Sequence, residues 1–75
     1  MTTYLRYDYI NNNEIVETYT SLKELIQDTN EFYHETFKEE DTYNENFKAK
    51  TLNDAVTLFE ANGFGIARTV QERNR

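Results

Sequence analysis

The stretch SLKELIQDTNEFYHETFKE, Ser21 to Glu39, leaves the fold little freedom. On a helical wheel, Leu22, Leu25, Ile26, Thr29, Phe32, Tyr33, Thr36 and Phe37 gather on one side. This i, i+3, i+4, i+7 recurrence predicts an amphipathic helix over 21–39 that must lay its apolar stripe on another layer. Glu24, Asp28, Glu31, Glu35 and Glu39 fall on the opposite side, within an arc of roughly 80°. Like charges three and four apart cost a helix a few tenths of a kcal/mol per pair. A lysine at position 28 or 35 would relieve that cost, so the row reads as charge held in place for a purpose. The competing reading is a solvated face that happens to be acid-rich. Ser21 and Glu24 have the spacing of a capping box, which fixes the start of the helix and gives Glu24 a structural task.

Before this helix, Thr2 to Ile10 (TTYLRYDYI) alternates in character, with Leu5, Tyr7 and Tyr9 on one side and Tyr4, Arg6 and Asp8 on the other. That is the pattern of a half-buried strand. Asn11-Asn12-Asn13 supplies a three-residue turn, since Asn tolerates positive φ. Glu14 to Tyr19 returns as a second strand, which makes 1–20 a β-hairpin. The connector 40–50 admits two readings. Thr42 and Glu45 can open a short helical turn, or Tyr43 and Phe47 can anchor a loop. Over 51–63 a second helix is specified at both ends. Thr51 and Asp54 form a box ahead of the stripe Leu52, Ala55, Val56 and Phe59, and Gly63 stops the helix with Phe59 meeting Phe64. Residues 64–71 (FGIARTVQ) read as a third strand with Phe64, Ile66 and Val70 on one side, and 72–75 as a polar tail.

These elements predict one α+β domain over 1–75 in the order β-β-α-α-β, with a three-stranded sheet and helices packed on one face. The third strand is expected beside the first. Tyr4, Arg6 and Asp8, with Val16 and Thr18, are expected on the open face.

A chain of 75 residues lies near the lower limit for a single unstapled core, so its five Phe and six Tyr must compensate in area. It has no Cys, which excludes disulfides and thiolate metal sites. No basic-then-apolar leader and no run of membrane-spanning length is visible, so a soluble, cytoplasmic protein with no membrane partner is expected. The net charge of −6 is localised: between Asp28 and Glu45 stand seven acids and one base, and the remainder is balanced. Such a field repels nucleic acid and attracts basic partners.

Catalytic constellations are missing. The single Ser, Ser21, and the single His, His34, lie ~20 Å apart along one helix, which precludes a nucleophilic relay. Glu31 and His34 make two possible metal ligands, too few to close a site, so His34 reads as a solvated side chain. Gly63 and Gly65 are followed by no Lys-Ser/Thr, so no phosphate cradle exists. A non-enzyme without cofactor or metal is expected.

What remains is the acidic row, with carboxylates at five helix positions across ~22 Å, or ~5.6 Å apart. One strand of duplex DNA presents a phosphate every ~3.4 Å. In length, acidity and its acid-lined helix the chain resembles the small proteins that bacteriophages make to mimic DNA and occupy host nucleic-acid-binding proteins. The resemblance rests on style and on no shared motif. It implies a binding protein, acting in the host cytoplasm, whose partner is a basic host protein that normally holds DNA or RNA. Asp28, Glu31, Glu35, Glu39, Glu40, Asp41 and Glu45 would supply the charge. Tyr43 would border them as an anchor, with Phe32 and Tyr33 divided between that role and core packing. The rival reading is an assembly module that self-associates, as a homodimer, through Tyr4, Arg6 and Asp8 on the open sheet face.

Overall fold

In a computed structural model that describes residues 2–70, the N-terminal alternation forms the centre of the sheet. β1 (Thr2–Asp8) pairs antiparallel with β2 (Glu14–Tyr19) on one side and with β3 (Phe64–Val70) on the other. α1 (Leu22–Thr36) and α2 (Leu52–Glu60) cover one face, giving the order β-β-α-α-β of a small α+β domain. Met1, Gln71 and the tail 72–75 lie outside the described residues.

The covered face is the opposite of the one expected. Tyr4 is 9% exposed and joins Tyr19, Leu25, Ala55 and Phe59 in the core, and Arg6 lies beneath the helices. The sheet register gives the reason. On β3, Phe64 and Ile66 are large and Gly65 and Ala67 small, and only the large side can fill a core. Phe64 pairs with Asp8 and Ile66 with Arg6, so Tyr4, Arg6 and Asp8 are carried to the helix side. Leu5 and Tyr7, opposite Ala67 and Gly65, face away from the helices. Tyr7 lays its ring over Gly65, where any Cβ would collide with it. Thr18, paired with Leu5, shares this open face as expected, and Val16 stands at a bulge where the β1–β2 register shifts.

β1 stops at Asp8, two residues before the expected end at Ile10. The Asp8 carboxylate accepts hydrogen bonds from the backbone N–H groups of Ile10 (3.1 Å) and Asn11 (3.2 Å) and from the Asn11 amide (2.7 Å). This asparagine-type turn takes over the donors that a ladder would need. Asn12 and Asn13 then adopt φ of 65° and 59°, so the connection spans 9–13 rather than three residues.

Both helix starts follow the sequence. The Ser21 hydroxyl accepts from the Glu24 N–H at 3.2 Å, while the Glu24 carboxylate reaches the N–H and hydroxyl of Thr20, one residue before the cap. Thr51 and Asp54 form the full reciprocal box. Each helix ends early. α1 stops at Thr36, not Glu39, because Phe37 leaves helical geometry to set its ring against Phe32 and Tyr33. α2 stops at Glu60, and single turns through Asn62 carry the chain to Gly63 at φ 91°. The expected Phe59–Phe64 contact across this stop is present, with centroids 6.3 Å apart.

Between the helices the chain is a loop of turns anchored by Tyr43 and Phe47, the second of the two readings. Asn30 of α1 clamps its far end. Its side-chain carbonyl accepts from the Ala49 N–H (2.7 Å) and its amide donates to the Ala49 carbonyl (3.3 Å), as a neighbouring strand would.

Candidate functional site

The acids of α1 follow from helical spacing. Glu24, Asp28, Glu31 and Glu35, three or four apart, occupy one side of the helix, the side nearest β2. There Glu24, Asp28 and Glu31, with Glu17 and Tyr19 of β2 and Gln27, line a shallow cleft of about 280 Å³. Glu17 was not among the expected site residues. It is brought in by its register opposite Arg6, a long-range fact with no local signal.

Asp28 departs from the row. Its carboxylate accepts from Arg6 Nη1 at 3.0 Å and from the Tyr19 hydroxyl, so its charge is spent inside the protein. Burial, and then the hydrogen bond to Asp28, hold the Tyr19 phenol well above its ordinary value. The Arg6 guanidinium completes this network from below, centred 4.8 Å from the Phe59 ring, 5.3 Å from Phe64 and 5.9 Å from Phe32. Three aromatic faces and one carboxylate offset the cost of taking this cation out of water. Asp28 is therefore corrected from a partner contact to a structural anion.

Glu31 and Glu35 remain on α1 and are exposed. Glu39, Glu40 and Asp41 lie beyond its end, on consecutive exposed turn positions, and Glu45 is exposed on the next turn. The row thus becomes a helix edge followed by an acidic turn. Among the described residues the only ion pair is Arg6–Asp28, so these six carboxylates have no cationic partner there.

The position of the acidic turn is set by an aromatic stack. Tyr33 lies between Phe47 (centroids 4.0 Å apart) and Tyr43 (5.6 Å), and its hydroxyl accepts from the Asn44 N–H at 2.9 Å. His34, next along α1, reaches the same loop twice. Its Nε2 is 2.9 Å from the Phe47 carbonyl and its Nδ1 2.6 Å from the Tyr43 hydroxyl. A carbonyl only accepts, so Nε2 carries the hydrogen, and in the neutral ring Nδ1 accepts from Tyr43. Tyr43 is thereby turned inward, a fastening for the loop and not an outward anchor. Phe32 packs on the core, with its centroid 5.0 Å from Phe59, and Tyr33 belongs to the stack. His34, read from the sequence as a solvated side chain, is half-buried and bolts the connector to α1.

In the first turn of α2, the Asp54 carboxyl is held below its usual range by the N–H groups of Lys50 and Thr51, a capping effect. Among the described residues, no group of three or more His, Asp or Glu side chains is placed to hold a metal. No helix among them is long and apolar enough to cross a membrane. In comparisons with known proteins, no family model, curated protein or solved structure matches this chain.

Proposed function

We propose that this chain is a non-enzymatic binding protein, of the kind phages encode, that captures a basic nucleic-acid-binding host protein by presenting carboxylates where DNA would present phosphates. The observation that carries this reading is the exposure of Glu31, Glu35, Glu39, Glu40, Asp41 and Glu45 without a cationic partner among the described residues. The loop that holds four of them is fastened by five hydrogen bonds and ring stacks at Tyr33, His34, Tyr43, Asn44 and Phe47, so those charges are offered in a preset arrangement. Preset charge lowers the ordering cost of association and steers encounter.

The test is displacement of labelled duplex DNA or RNA from a panel of purified basic nucleic-acid-binding proteins. Displacement from at least one of them should be strong at low salt and fall steeply as salt rises. The triple variant Glu31→Lys, Glu35→Lys, Glu39→Lys should keep the wild-type circular dichroism and lose the displacement, because all three side chains are exposed. Equal displacement by the variant, or none by the wild type across the panel, would sink the reading.

A further inference from the structure

Among the described residues, the sheet keeps its charged side chains on the same face as its core and leaves the helix-free face without any. Arg6, Asp8, Glu14, Glu17 and Arg68 all lie on the side that carries the helices, as their pairing with Tyr4, Tyr19, Phe64 and Ile66 requires. The opposite side carries Leu5 and Tyr7 at its centre, Ile15 and Thr18 on β2, and Gly65 and Ala67 on β3, with no charged strand residue among the described residues. In a chain with 29% charged residues and a net charge of −6, a solvent-facing surface built this way calls for a cover. Ile15 is 52% exposed, and Val16, at the bulge on the same strand, 41%.

From this geometry we infer that the helix-free face is a dimer interface, and that its occupant is the same face of a second copy. Three arguments select a second copy. The first is charge. A basic partner is drawn to the acidic flank of α1 and finds nothing to pair with here, whereas two uncharged faces meet without any unpaired ion. Stacked face to face, the two sheets sit ~10 Å apart with each helix layer about as far again outside. The acidic helices are then ~30 Å from each other, several times the ~8 Å over which charges act at physiological salt.

The second argument is shape. Small residues at Gly65 and Ala67, with the Tyr7 ring over the glycine, leave a low surface of the kind that stacks on another sheet. Growth by edge pairing is opposed on β2, where the bulge and the charges of Glu14 and Glu17 blunt the strand.

The third is area. Three strands of this length make a face of about 23 Å by 14 Å. Two such faces, with side-chain relief, bury on the order of 1,000 Å², the bottom of the range for a specific interface. An interface of that size suits a weak, reversible dimer.

This inference goes beyond the proposed function and stands independently of it. Sedimentation equilibrium over micromolar to millimolar concentration should show a monomer–dimer equilibrium that salt does not weaken. Ile15→Lys with Thr18→Lys should shift the dissociation constant at least tenfold while thermal unfolding at monomeric concentration stays two-state. As the chain has no Cys, Thr18→Cys supplies a single thiol whose reaction with a short bifunctional maleimide should give a covalent dimer. Asn53→Cys, exposed on α2, should give none. A monomer at every concentration, a dimer indifferent to the Ile15 and Thr18 changes, or equal cross-linking from Asn53 would overturn it.

Discussion

Arg6 and Asp28 meet 3.0 Å apart across 22 residues of sequence, tying the central strand to the first helix. Arg6 is the more enclosed partner, with 13% of its side chain exposed against 37% for Asp28, and its Nε is buried without a hydrogen-bond partner. Removing the anion therefore costs more than the pair itself contributes, since a cation is left among phenylalanine rings. Asp28→Ala should destabilise the fold by about 1–3 kcal/mol, less than a fully buried pair because water still reaches the carboxylate. Arg6→Met with Asp28→Leu should recover at least half of that loss. Urea unfolding of the single and double variants measures both values, and additive losses would show that the two side chains do not act together.

The Tyr19 phenol, raised by burial and by its bond to Asp28, makes stability fall on the alkaline side. A folded pKa above the unfolded one means that the contribution is fully present below the ordinary value of 10.0 and is lost as pH climbs through the folded value. Ultraviolet titration of the six tyrosines should thus show one that ionises only as the protein unfolds. Tyr19→Phe should abolish that late step and flatten the alkaline decline in melting temperature. Persistence of the step in Tyr19→Phe would assign it to another tyrosine.

His34 joins α1 to the loop through both ring nitrogens. Replacing it by Ala removes two partly buried hydrogen bonds, a loss of about 1–2 kcal/mol. The effect should be local: faster amide exchange at Asn44 and Phe47 and quicker proteolysis within 38–46, with β1, β2 and β3 unchanged. Uniform loss of protection across the sheet would mean that the loop is part of the cooperative core. Since this loop carries Glu39, Glu40, Asp41 and Glu45, His34→Ala also separates the number of charges from their arrangement in the displacement assay.

How far the sequence foretold this structure depends on how local each signal was. Both helix starts were legible because a cap needs only residues three apart, and Ser21–Glu24 and Thr51–Asp54 supply them. Element order and the place of β3 beside β1 followed from periodicity and the room that two helices leave. The covered face was not legible from β1 alone, whose two sides carry comparable aromatics. It is decided by the alternation of Phe64, Gly65, Ile66 and Ala67 through a register that only the folded sheet fixes. In the candidate site, the outward placement of Glu31 and Glu35 was readable from helical spacing. Asp28 was misplaced because its cation lies 22 residues away. His34 and Tyr43 were misread because their bonds run between a helix and a loop that has no regular pattern.

Gly63 closes the account of the second helix. Its φ of 91° lies where a Cβ is strained, and a Cβ built there would come within 2.8 Å of Ile10 Cδ1, so two separate costs attach to any side chain. Left-handed strain in a non-glycine residue is worth about 1–2 kcal/mol. The Ile10 contact adds less, because Ile10 is 71% exposed and its chain end can swing away. Gly63→Ala should lower stability by about 1–2 kcal/mol, or roughly 4–15 °C in melting temperature for a domain of this size. Adding Ile10→Ala to Gly63→Ala relieves the contact and leaves the strain, so it should restore only a minor part of the loss. Full recovery in the double variant would make the collision, and not the backbone, the reason glycine occupies this position.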